Sequence, residues 1–249
     1  MPQSPGQIRL QPQTLKAFEV YVREAEAAME PSLRGKGSFL WSDASPERTE
    51  EVRRGQTVAQ FWSGSAPIKV PEGLIHDWIG ACFVPGTSIE ATLGVIQDYD
   101  NHANVYKPEV ITSKLLSRHN NDFEIYLRLL KKKIITVILD TNHSVHYRPL
   151  GHTRWLCRSY TTRIAEVEKP GKPEEKVLPA DEGYGFLWRL YSYWRFEERD
   201  GGVYLECRAI SLTRDVPSGL GWIVDPIIRK LPKESLVHTL ECTREVLQI

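Results

Sequence analysis

His143, His146 and His152 crowd one short stretch of the chain and are the first place to look for chemistry. Three imidazoles so close together could form a metal corner. Their offsets match neither a helical zinc site nor a zinc finger, so they read as solvated histidines near a strand end. The acidic candidates are Asp140, Glu206 and Glu124, all on predicted strands. Arg195 falls opposite Glu206 in the register derived below, which favours a structural ion pair over a working acid. Tyr126, Tyr160, Tyr191 and Tyr193 carry hydroxyls that could orient a ligand's polar end or belong to half-exposed strand aromatics. There is no GxSxG, no HExxH, no P-loop and no GxGxxG after a strand. Cys82, Cys157, Cys207 and Cys242 lie far apart with no CxxC, and three of them sit in apolar stretches as small buried hydrophobes. These patterns assign no catalytic residue, no metal ligand and no cofactor.

The elements that would position any site begin with composition. The 249 residues are 41% hydrophobic, enough for a substantial core, and 32 basic residues balance 32 acidic ones. Zero net charge argues against a nucleic-acid partner, which requires a basic face. No run is long and apolar enough to span a membrane. The N-terminus, MPQSPGQIRLQPQ, lacks a leader profile, so the default expectation is cytoplasmic, or periplasmic or secreted if a leader has been removed.

Residues 1–12 are polar and Pro/Gln-rich and are expected to be disordered. Gln13 to Met29 carries a helical pattern that Pro31 should stop. Gly35 to Arg54 reads as loop with one short strand, Phe39 to Trp41. Gln56–Trp62 and Leu74–Val84 read as strands. Thr87 with Glu90 three residues on forms a capping box for a helix through Leu93, Ile96 and Tyr99. From Glu109 onward strand follows strand: Val110–Ser117, Phe123–Leu130, Ile134–Thr141, Thr153–Val167, Phe186–Glu198 and Val203–Arg214. The lysine run 131–133 reads as a solvated turn, and Lys169 to Gly185 as a mobile surface loop. The division expected is residues 1–50 as an N-terminal helix and loop-rich extension, and 51–249 as the main domain.

The last hairpin is the most informative stretch. Asp200-Gly201 is a two-residue turn, which places Glu198 opposite Val203, Phe196 opposite Leu205, Trp194 opposite Cys207 and Ser192 opposite Ala209. That face is apolar. The other face sets Arg195 against Glu206, Glu197 against Tyr204 and Tyr193 against Arg208, and should look outward. Beyond the strand, Leu220, Ile223, Val224, Ile227, Ile228 and Leu231 form one helical stripe, continued by Leu236, Leu240 and Leu247. Pro226 and Pro232 should kink or restart that helix. A helix directly after a strand must lie back across its own sheet. Its underside would meet Trp188, Leu190, Ser192, Trp194, Phe196, Cys207, Ala209 and Ser211, with Ile223, Ile227 and Leu231 on the helix. The mixture of large and small residues there leaves either a close-packed interior or a hollow.

Three segments carry a family resemblance: Ile96-Gln97-Asp98-Tyr99 with Tyr106-Lys107-Pro108-Glu109-Val110, then Gly202 to Cys207 with Ile210 to Pro217, then Leu231-Pro232-Lys233-Glu234-Ser235-Leu236. In that order the chain resembles the helix-grip α+β fold of the START and pollen-allergen-like superfamily, which includes polyketide cyclases and coenzyme Q-binding proteins. The likeness covers roughly residues 50–247; the N-terminal helix is extra. It implies a curved antiparallel sheet wrapped around a long C-terminal helix. It also implies a cavity between them for a lipid, sterol, quinone or polyketide-like molecule. Transient membrane contact is compatible with that reading. The family has no universal catalytic residues to carry over. Two alternatives stand beside binding or transport: a cyclase or aromatase-type enzyme using the same pocket, and a structural or interaction domain with a filled core.

Overall fold

The computed structural model describes residues 6–132, 136–215 and 221–248, the side chains of 221–230 excepted. In chain order the elements are β1 (Ile8–Arg9), α1 (Pro12–Leu33), a 3-10 turn (Ser42–Ala44), α2 (Pro46–Arg53), β2 (Val58–Phe61), β3 (Ile68–Val70) and β4 (Gly73–Pro85). Then come α3 (Ile89–Ile96), a 3-10 turn (Tyr99–Asn101), α4 (His102–Val105), β5 (Val110–His119), β6 (Asp122–Lys132), β7 (Thr136–Pro149) and β8 (Arg154–Glu168). The chain closes with β9 (Lys176–Val177), β10 (Glu182–Gly183), β11 (Arg189–Arg199), β12 (Gly202–Arg214) and α5 (Gly221–Leu247). A ten-stranded sheet runs in the order β2-β4-β12-β11-β8-β7-β6-β5, with β3 on β4 and β9 on β8; β1 and β10 form a separate ribbon. Every pairing in the large sheet is antiparallel.

The β11–β12 hairpin has the register that its turn dictates: Glu198 opposite Val203, Trp194 opposite Cys207, Ser192 opposite Ala209. Asp200 (φ 56°) and Gly201 (φ 76°) both take positive φ, the conformation of a turn whose twist matches the flanking strands. One face of the sheet receives α5. Phe123, Tyr147, Phe196 and Leu205 meet Leu236 and Leu240 there in one core. Gly80 on β4 makes the close approach possible, because a Cβ there would stand 2.9 Å from Leu240 Cδ1 and 3.3 Å from Leu236 Cδ2. A sheet wrapped around its terminal helix is the helix-grip arrangement, an α+β fold with an added N-terminal helix.

The other face was expected to look into solvent, and it does not. α1 lies on it, burying Phe18, Val22, Ala25 and Met29 against Ile75, Ile210 and Leu212. Arg208 and Asp77 become a buried ion pair with side chains only 5% and 3% exposed, and the Tyr21 hydroxyl donates to Asp77 at 2.6 Å. The Tyr160 and Tyr193 hydroxyls both donate to Glu26 Oε1 of α1 (2.6 and 2.9 Å). Charge matching across that face is thus internal, with Arg208 and Asp77 paired beneath α1.

Other expectations yield to context. Residues 6–11 are ordered, since β1 pairs with β10 and Leu10 is buried. Pro31 does not stop α1. Residues 39–41 form no strand; Ser45 caps α2 by accepting from Arg48 N at 3.4 Å. The cap of α3 is Ser88, accepting from Ala91 N at 3.2 Å, rather than Thr87. Lys131 and Lys132 belong to β6; Lys133 lies outside the described residues. The segment 169–185 is tied down by β9, by β10 and by Leu178, which is buried and donates its N–H to Glu166 O at 2.8 Å. α5 runs unbroken through Pro232.

Candidate functional site

Between the sheet and α5 lies a cavity of about 690 Å³. Its floor is the inward rows of β6, β7, β8, β11 and β12, and its roof is α5 from Leu231 to Thr239. The helix sits tight on β4 over Gly80 and stands off the other strands, so the hollow is displaced to one side. At one end the wall is fully buried: Tyr99, Tyr147 and Cys157 are 4%, 1% and 3% exposed. Toward the other end Thr136, Val137, Lys169, Leu187 and Pro232 are partly or fully exposed, which marks the open side.

The sequence-derived lining divides. Leu190, Ser192, Trp194, Cys207, Ala209, Ser211 and Leu231 all line the cavity. Trp188 packs instead in the core beneath α1, because it precedes the first paired residue of β11 and the pleat does not govern its direction. Phe196 is fully buried among Phe123, Tyr147 and Leu205 in the closed core. The side chains of Ile223 and Ile227 lie outside the described residues.

The polar groups are not those the sequence singled out. Tyr160, Tyr191 and Tyr193 lie under α1, and the Tyr126 hydroxyl donates to Asp140 at 2.8 Å. Asp140 is held below the usual carboxylate range against its own burial, by hydrogen bonds from Arg128 and Tyr126. Glu124 is exposed. Glu206 accepts from Trp41 N and Ser42 N (2.6 and 3.2 Å), while Arg195 donates to Phe39 O. Burial pushes the Glu206 carboxyl up to about 7, opposed by the nearby Arg195 charge. His146 is exposed beside Asp122, His152 is exposed, and His143 is the exception: it is buried and lines the cavity. Burial pushes its pKa down to about 4, so the ring is neutral near pH 7.

Sequence reading missed the rest. Tyr99 and Tyr147 hydroxyls bond to each other at 2.8 Å at the closed end, and burial raises both well above the usual phenol range. Cys157 and Cys207 are free thiols on the wall; burial pushes Cys157 up to about 12, which makes it unreactive. At the open side Lys131 Nζ contacts Glu109 and donates to Ser235 Oγ of α5 at 2.6 Å, clipping strand to helix. Glu166 accepts from Tyr184 N and Phe186 N (2.7 and 2.9 Å) and so fixes the strap 184–187 along the rim. Among the described residues no cluster is placed to hold a metal ion.

No family model and no curated protein matches the chain. Solved structures do. A STAR-related lipid transfer protein fragment from Xanthomonas axonopodis is 16% identical with a TM-score of 0.48; the match covers 74% of this chain and 98% of that one. The Zhui aromatase/cyclase from Streptomyces sp. R1128 is 11% identical, TM-score 0.49, covering 70% and 94%. Human STARD10 is 12% identical, TM-score 0.45, covering 72% of each chain. Identity this low carries no residue role across.

Proposed function

We propose that the protein binds or carries an apolar small molecule, of lipid, sterol, quinone or polyketide-like character, in the cavity beneath α5. The observation that carries this reading is the cavity itself. Its 690 Å³ falls within the roughly 300–1,000 Å³ of small-ligand sites. Its wall is mostly apolar, so water filling the space finds few partners and an apolar ligand replaces it favourably. The wall that would contact the ligand comprises Leu190, Ser192, Trp194, Cys207, Ala209, Ser211 and Leu231, with Val145 and Leu236 facing them. A filled structural core would not call for such a space, and this supports the carrier reading over the third alternative. Among the described residues no helix is long and apolar enough to cross a membrane.

Ala209→Phe tests the reading. The new ring should occupy the hollow, leave the melting midpoint nearly unchanged and weaken uptake of a fluorescent apolar probe such as pyrene at least about tenfold, roughly 1.4 kcal/mol. Unfolding of the variant would mean that the space was already full, and undiminished uptake would mean that pyrene binds elsewhere.

The enzymatic alternative keeps one specific observation, the titratable groups on the cavity wall: His143, the Tyr99–Tyr147 pair, and Lys131 with Glu109. A neutral imidazole inside an apolar cavity can take up a proton from a bound substrate. Turnover of a reactive polyketone that His143→Ala abolishes, with probe binding intact, would move the assignment from carrier to enzyme.

A further inference from the structure

One inward step along the strands from the closed end, the cavity wall carries hydroxyls whose bonding is only partly satisfied by the protein. Their polarity can be traced. Thr141 Oγ1 donates to Leu127 O at 3.0 Å, so its proton is committed. The 2.9 Å contact between His143 Nε2 and Thr141 Oγ1 is therefore an N–H donating to the threonine oxygen. In the neutral ring this leaves Nδ1 bare. The group that faces Nδ1 is Ser159 Oγ, at 3.4 Å, and it must be the donor. Ser159 thus commits its own proton to the imidazole and turns only lone pairs toward the cavity.

Ser192 is the register partner of Ser159 on the neighbouring strand, which sets their Cβ atoms about 5 Å apart on one face. Both serines line the cavity and both keep accessible surface. Among the described residues no group bonds to the Ser192 hydroxyl, which keeps its proton and its lone pairs. A register irregularity between Asn142 and His143 sits beside this pair, the kind of bulge that re-aims a side chain. The charged groups of the wall, Lys131, Glu109, Glu166, Glu168 and Lys169, lie on the strand ends away from Tyr147 and Cys157.

Building on the carrier reading, we infer that the ligand bears a hydroxyl group partway along an otherwise apolar body, donating to Ser159 Oγ and accepting from Ser192 Oγ. An ether or ketone has nothing to donate to Ser159. A hydrocarbon leaves the Ser192 donor without a partner. An ionised group at this depth would lie away from the charged rim and lack a counter-ion.

Three matched probes separate the possibilities: pyrene, 1-methoxypyrene and 1-hydroxypyrene, titrated by fluorescence at pH 7 and corrected for partition into octanol. The single hydrogen bond donated to Ser159, which the methoxy compound cannot make, predicts that the hydroxy compound binds about fivefold more tightly than the methoxy compound. Ser159→Ala should reduce that ratio to near unity, whereas Ser192→Ala should leave the ratio in place and weaken both oxygenated probes relative to pyrene in the same variant. Ser→Cys variants replace the alanines if the latter melt early. Equal affinity for the two oxygenated probes, a ratio that survives Ser159→Ala, or oxygenated probes that Ser192→Ala leaves unweakened overturns the hydroxyl assignment, while pyrene binding leaves the carrier reading standing. If no probe binds, the carrier reading falls and this inference falls with it.

Discussion

His102 and His143 are buried imidazoles whose pKa values burial pushes down to about 4 from an ordinary 6.5. The sign of the linkage follows. Below pH 6.5 the unfolded chain takes up protons that the folded chain refuses, so stability is intact above 6.5 and is lost as pH falls toward 4. His102 Nε2–H donates to Ile96 O, 2.9 Å away, and a glutamine amide can supply a donor there. His102→Gln should therefore lose about 3 kcal/mol less than the wild type between pH 6.5 and 4, at 1.36 kcal/mol per pKa unit, read from urea midpoints. Parallel curves for the two proteins would show that His102 titrates normally. At this scale the sequence was legible where alternation was strict. Leu139, Thr141, His143, Val145 and Tyr147 share one parity, but the strand expected from the sequence ends at Thr141 and so leaves His143 among solvated residues. Its neighbours His146 and His152 concealed it, because clustering suggested a common solvated environment. Trp188 failed for the opposite reason: it has the right parity but precedes the pleat.

Among the elements, α5 decides the shape of the interior. Its seat over Gly80 is narrow, with Leu240 and Leu236 side chains and Val58 O (3.1 Å) around the position where a Cβ would stand. Gly80→Ala should destabilise the protein by about 1–3 kcal/mol through overpacking, with an unchanged denaturant slope. A neutral or stabilising result would mean that the helix is not held against β4. The hairpin register and the docking of the terminal helix were readable because a two-residue turn leaves one pairing and an amphipathic stripe needs a partner surface. The covering of the outer face was not. Arg195, Glu206 and Arg208 look solvent-bound in isolation; the 39–42 segment supplies the partners of Arg195 and Glu206, Asp77 of β4 pairs with Arg208, and α1 covers that pair through Tyr21. Pro31 and Pro232 misled for a related reason: packing along a long helix outweighs one lost backbone donor.

In the whole molecule the two faces of the sheet do different work. The α1 face is closed by apolar packing and paired charge, while the α5 face is closed at Tyr99 and Tyr147 and open toward Lys131 and Leu187. A cavity supported by one rigid face and roofed by one helix suits a ligand that enters and leaves along the sheet. Native mass spectrometry of the purified protein, followed by solvent extraction, tests this most directly. The account predicts an excess mass that is lost on collisional activation and recovered in the extract as a neutral, largely apolar compound carrying a hydroxyl. Bare polypeptide mass from several expression hosts, together with no uptake of any apolar probe, would contradict it.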